Sequence, residues 1–79
     1  MRELVTVEEL EAWLTNELRK LEDCSEAKVS GIMRLQGLDS DGCNWSDELK
    51  VNAGGVSHAY YGDYLGKIVL RARTLFNVL

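Results

Sequence analysis

"LDSDGCNWSDEL", residues 38–49, decides the fold: it is either a metal or catalytic loop or the corner joining two strands. The flanking runs favour the corner. Upstream, in "AKVSGIMRLQ" (27–36), Ala27, Val29, Gly31, Met33 and Leu35 alternate with Lys28, Ser30, Ile32, Arg34 and Gln36. A period of two marks a strand with one buried face. Downstream, Cys43, Trp45, Leu49 and Val51 share one parity, while Asn44, Ser46, Glu48 and Lys50 share the other. Asp47 interrupts the apolar parity, which predicts a bulge or a strand that starts late. Gly42 can supply a positive φ, and Asp39 or Asp41 can accept a bond from the backbone two residues on. Calcium fails on spacing, because the glycine comes too early and the twelfth position is Lys50 instead of a bidentate glutamate.

Helical signals lie on both sides of this hairpin. From Thr6 to about Glu22, Thr6 and Glu9 form a capping box, and Glu8, Glu9 and Glu11 favour the positive end of the helix dipole. Arg19 and Lys20 sit near the other end, and Val7, Leu10, Leu14, Leu18 and Leu21 make one apolar stripe. Trp13 lies roughly 90° off that stripe. After "NAGGVS" (52–57), with Ser57 as a cap, a second stripe runs from His58 to Asn77 through Tyr61, Tyr64, Leu65, Ile68, Ala72, Leu75 and Phe76. Gly62 and Gly66 weaken that helix by ~1 kcal/mol each, so its start is either His58 or Asp63. The expected fold is α+β in the order α-β-β-α, one domain over 1–79, with two helices on one face of the hairpin. Its other face carries Lys28, Ile32, Arg34, Asn44, Glu48 and Lys50.

Composition narrows the class. The chain has 79 residues, 28% of them charged and 46% hydrophobic, ordinary values for a globular domain. A core this small gains from a staple or a partner. Cys24, Cys43 and His58 offer no paired-cysteine zinc motif, and no cofactor or metal is expected. No apolar run approaches the ~20 residues of a membrane span. "MRE" leads straight into an acidic helix, which predicts no secretory leader, a cytoplasmic location and two reduced thiols. The net charge of −4 opposes nucleic acid at long range, so such binding needs a local basic patch.

Three chemistries remain to be weighed. Cys43, His58 and one of Asp39, Asp41 or Asp47 would make a Cys–His–Asp enzyme, but inward parity beside Trp45 makes Cys43 a small hydrophobe. Lys67, Arg71 and Arg73, with Tyr60 and Tyr61 for stacking, suggest a nucleic-acid face. Against it, Asp63 precedes Lys67 by four residues, the favourable ion-pair order. Gly62, Gly66 and Leu70 form an i, i+4, i+8 row away from the core stripe, open to a second helix. With Trp13 and Tyr60 beside them, they are the candidate interface of a protein-interaction module, by expectation a homodimer. The alternative dimer pairs hairpin edges into a four-stranded sheet. Asp41, Asn44 and His58 are the candidate binding-loop residues. The Asn44 amide either locks the corner by bonding Asp39 or Asp41, or faces a ligand.

The Asp41-Gly42-Cys43-Asn44-Trp45 step, with Ala72, Arg73, Phe76 and Asn77, resembles a group of short bacterial proteins, mostly proteobacterial, over roughly 29–79. The resemblance implies a small intact protein of the bacterial cytoplasm, and neither an activity nor a site.

Overall fold

Thr6 and Glu9 close the expected capping box. The Glu9 amide donates to Thr6 Oγ1 at 3.0 Å, and the Thr6 amide donates to Glu9 Oε1 at 3.0 Å. Around this start, the computed structural model describes residues 2–79 as β1 (Glu3–Val5), α1 (Val7–Leu18), β2 (Lys28–Ser30), β3 (Lys50–Asn52), α2 (His58–Leu75) and β4 (Phe76–Val78). Leu10, Leu14 and Leu18 are fully buried on the α1 stripe. The helix stops at Leu18, short of Glu22, because Lys20 and Leu21 donate three residues back in tightening turns and Asp23 takes φ 70°.

β2 and β3 form the antiparallel hairpin, with Val29 opposite Val51. From the Ser30–Lys50 pair to the Arg34–Trp45 bridge, one strand advances four residues and the other five. The extra residue lies between Trp45 and Lys50, where Asp47 broke the parity. The upstream parity needs correcting. Gly31 takes φ +74°, which reverses the alternation, so Ile32 is buried and Met33 is 60% exposed. A Cβ at Gly31 would lie 3.2 Å from Lys50 Cγ.

α2 starts at His58, with Ser57 Oγ accepting from the Ala59 amide at 3.2 Å, and passes both glycines unbroken. It ends at Leu75, where the expected helix ran on to Asn77. Phe76 is already extended (φ −132°, ψ 144°) and opens β4, which pairs parallel with β1. This pair lies outside the expected α-β-β-α order, so the mixed α+β fold runs β-α-β-β-α-β. Losing the last helical turn also corrects the stripe: Leu75 is 44% exposed, and Val69 is buried instead. α1 packs against β2 and α2, whereas α2 packs chiefly against α1 and β4.

Both sheets have only two strands, and side chains finish them. Glu11, Thr15 and Arg19, one row along α1, reach the outer edge of β2 and its flanks. Arg19 Nε donates to Ala27 O at 2.7 Å, and Thr15 Oγ1 accepts from the Val29 amide at 3.0 Å. Glu11 Oε2 accepts from the Ile32 amide at 3.5 Å, the limit of a hydrogen bond. β4 is finished by Asn44 and Trp45, as described below. The β2 edge, covered in this way, does not invite pairing, whereas no such bond among the described residues covers the outer edge of β3. Thr15→Val keeps the shape of the side chain and strands the Val29 amide. We expect a loss of about 1–3 kcal/mol, read from urea unfolding midpoints, with Thr15→Ser close to wild type.

Candidate functional site

The corner is built around Asp39. Its Oδ1 accepts from the amides of Asp41 (2.9 Å) and Cys43 (3.0 Å). The Gly42 amide donates to Asp39 O at 3.0 Å, with Gly42 at φ +81°. Asp39, and not Asp41, therefore supplies the expected turn bond. Its other oxygen forms an ion pair with Arg73. The two amides, with the Arg73 guanidinium adding to them, hold the Asp39 carboxyl below its ordinary range. Arg73 also donates to Trp45 O, and its guanidinium stacks 5.5 Å from the Trp45 ring centre.

Asn44 does neither of the things expected of it. Its Nδ2 donates to Val78 O at 2.7 Å and its Oδ1 accepts from the Val78 amide at 2.8 Å, so its side chain stands in for a neighbouring strand. The Asn77 side chain completes the junction, accepting from the Asn44 amide at 3.1 Å and donating to Gly42 O at 3.2 Å. Trp45 Nε1 donates to Phe76 O at 3.0 Å. Arg2 bridges the same pole, donating to Arg73 O at 2.7 Å and Asp41 O at 2.8 Å. These side-chain contacts turn inward and stabilise the fold. Sequence reasoning missed the roles of Asn77 and Arg2, whose partners lie more than thirty residues away.

The enzymatic set assembles only in part, since His58, Asp41 and Asp47 line one groove while Cys43 lies outside it, and the basic residues of the nucleic-acid reading are partly paired. Cys43 is fully buried, and its Sγ lies 3.6 Å from Trp45 O. His58 is exposed at the start of α2, edge-on to Tyr61 at 5.2 Å. Arg71 pairs with Glu17 and lies over Trp13, 5.2 Å from the ring centre. Trp13 meets Phe76 edge-on at 5.3 Å. Lys20 and Arg71 hold the Glu17 carboxyl low, the Lys20 hydrogen bond foremost. Tyr61 is buried, and the Tyr60 hydroxyl donates to Glu22 O at 3.0 Å. Desolvation, with Asp23 and Glu22 nearby, raises the Tyr60 phenol above its ordinary value. Among the described residues, no three His, Cys, Asp or Glu side chains converge as a metal set.

What remains open is a groove of about 530 Å³ between α2 and the hairpin corner. His58, Gly62, Gly66 and Leu70 line its helical side, and Asp41 and Leu49 its far wall. Leu70 is 67% exposed. Five of the residues singled out from sequence thus share one surface, while Trp13, Tyr60 and Asn44 lie elsewhere. No helix among the described residues is long and apolar enough to cross a membrane. No protein-family model, curated protein or solved structure matches the chain.

Two measurements follow from the corner. Asp39 has a lowered folded pKa, so its contribution is present above its ordinary value of 3.8 and is lost as pH falls through the folded value. Asp39→Asn should lower stability at neutral pH and flatten the decline below about pH 4, in denaturation midpoints taken across pH. Cys24 and Cys43 are both free and fully buried. Iodoacetamide without reductant should leave the native mass unchanged and add two groups after unfolding. A chain that gains none once unfolded has an unexpected disulfide.

Proposed function

We propose that this chain is a small, non-enzymatic protein-interaction module of the cytoplasm, working through the exposed face of α2 and the groove beside it. One observation carries the reading: Leu70 stands two-thirds exposed beside two glycines on a helix whose opposite face is core. A solvent-facing leucine alone is ordinary surface. Here it stands on the rim of a groove that the half-buried Leu65 also lines, with Asp41, Asp47, His58 and Arg73 as its polar part. Each competing chemistry is short of a part, although His58, Asp41 and Asp47 stay in the groove and Lys67 on the surface. Cys43 is a buried hydrophobe, the corner carboxylate and amides bond the backbone, and Arg71 is committed to Glu17 and Trp13. A module that binds by shape and apolar contact needs none of them. The two free thiols suit a reducing compartment.

Photo-crosslinking in a cellular extract tests this. A photoreactive residue introduced at Thr74, which is exposed on α2, should trap protein, the chain itself included, in a manner abolished by adding Leu70→Glu. Identical crosslinks with and without that change would overturn the assignment of this face.

A further inference from the structure

We propose that the partner of this face is a second copy of the chain, docked antiparallel along α2 about a two-fold axis near Gly66; this rests on the reading just given. The helix itself supplies both a knob and a hollow. Gly62, Gly66 and Leu70 lie at successive fours, and eight residues of helix span about 12 Å. A Cβ built at Gly66 meets no atom within 4 Å, so another backbone can approach there. A two-fold axis beside Gly66 brings the two backbones together at that open position and carries each Leu70 against the His58 ring, which lies over Gly62 of the second copy. An isologous contact needs this self-complementarity, and one patch satisfies both sides.

Charge supports the same arrangement. Asp63 and Lys67 lie on one flank of this face in the order that favours an ion pair within the helix. Nevertheless, the ion pairs among the described residues join Glu17 to Lys20 and Arg71, and Asp39 to Arg73. Among the described residues, Asp63 and Lys67 form no ion pair. In an antiparallel two-fold pair, like flanks meet in opposite directions, as they do along antiparallel coiled coils. Asp63 of each copy then faces Lys67 of the other, giving two opposite-charge contacts. The other flank carries Leu65 and Val69, which line the groove. The net charge of −4 on each chain opposes association, but salt at physiological strength screens beyond about 8 Å.

Sedimentation equilibrium from micromolar to several hundred micromolar, at physiological salt, tests the arrangement. The wild-type chain should approach a dimer, and Leu70→Glu should stay monomeric. Asp63→Lys and Lys67→Asp each turn both contacts into repulsions and should each weaken dimerisation about tenfold. An equimolar mixture of these two variants restores opposite charges at both contacts and should associate about as well as wild type. The substituted positions are exposed, and matching circular dichroism spectra confirm that each variant is folded. A single 8.9 kDa species throughout the range overturns the second copy as partner. If crosslinking in extract nonetheless yields a Leu70-dependent product, the partner is another protein, and the assignment of the face stands without this proposal. A dimer indifferent to the charge changes, or a mixture that fails to recover, overturns the antiparallel arrangement.

Discussion

The paired hydrogen bonds between the Asn44 side chain and both backbone groups of Val78 are the contact on which the rest of the structure depends. Strands of three residues offer few ladder bonds, and a two-stranded sheet is marginal alone. A primary amide carries a donor and an acceptor side by side, the same pair that a neighbouring strand presents. By bonding Val78 in this way, Asn44 completes the β1–β4 sheet and fastens the hairpin corner to it. Trp45, anchored through Phe76 O, then brings its ring into the core. Arg73 closes the junction from α2, joining Asp39 to the Trp45 carbonyl.

α1 performs the same service for the other sheet. Thr15 and Arg19 stand one turn apart and meet the polar groups of Val29 and Ala27. The Val29 side chain meanwhile enters the core. The helix thus both buries the strand and satisfies its backbone. No described buried side-chain nitrogen or oxygen lacks a partner, as a core this small requires.

Local elements were legible in the sequence because their causes are local. The Thr6–Glu9 capping box, the α1 stripe, the turn bond of Asp39 and the irregularity at Asp47 each rest on residues a few positions apart. The β1–β4 pair was not legible, since "ELV" and "FNV" are too short to show a period and each needs a partner at the far end of the sequence. Gly31 fits the apolar parity by position, but its positive φ reverses the pattern, and a period read across it fails at Ile32 and Met33. The candidate surface was legible in part. Helical spacing located Gly62, Gly66 and Leu70, whereas Asp41 and Leu49 join them only through tertiary packing. Trp13 and Asn44 looked available because their partners, Phe76 and Val78, were assigned to a helical tail or to none.

The parallel pairing of β1 with β4 also governs how the chain folds. Glu3 lies opposite Phe76, so closing this sheet draws together segments separated by nearly the whole sequence. Loop-closure entropy opposes such a contact until the intervening chain is compact. The capped helix and the hairpin, whose contacts are short in sequence, can form first. During synthesis, Asn44 leaves the ribosome well before Val78 does. Until Val78 emerges, the corner has an unpaired amide and Trp45 has no carbonyl for its ring nitrogen. The nascent protein therefore holds an incomplete core until Phe76 and Val78 have emerged, and it is most exposed to misassociation in that interval.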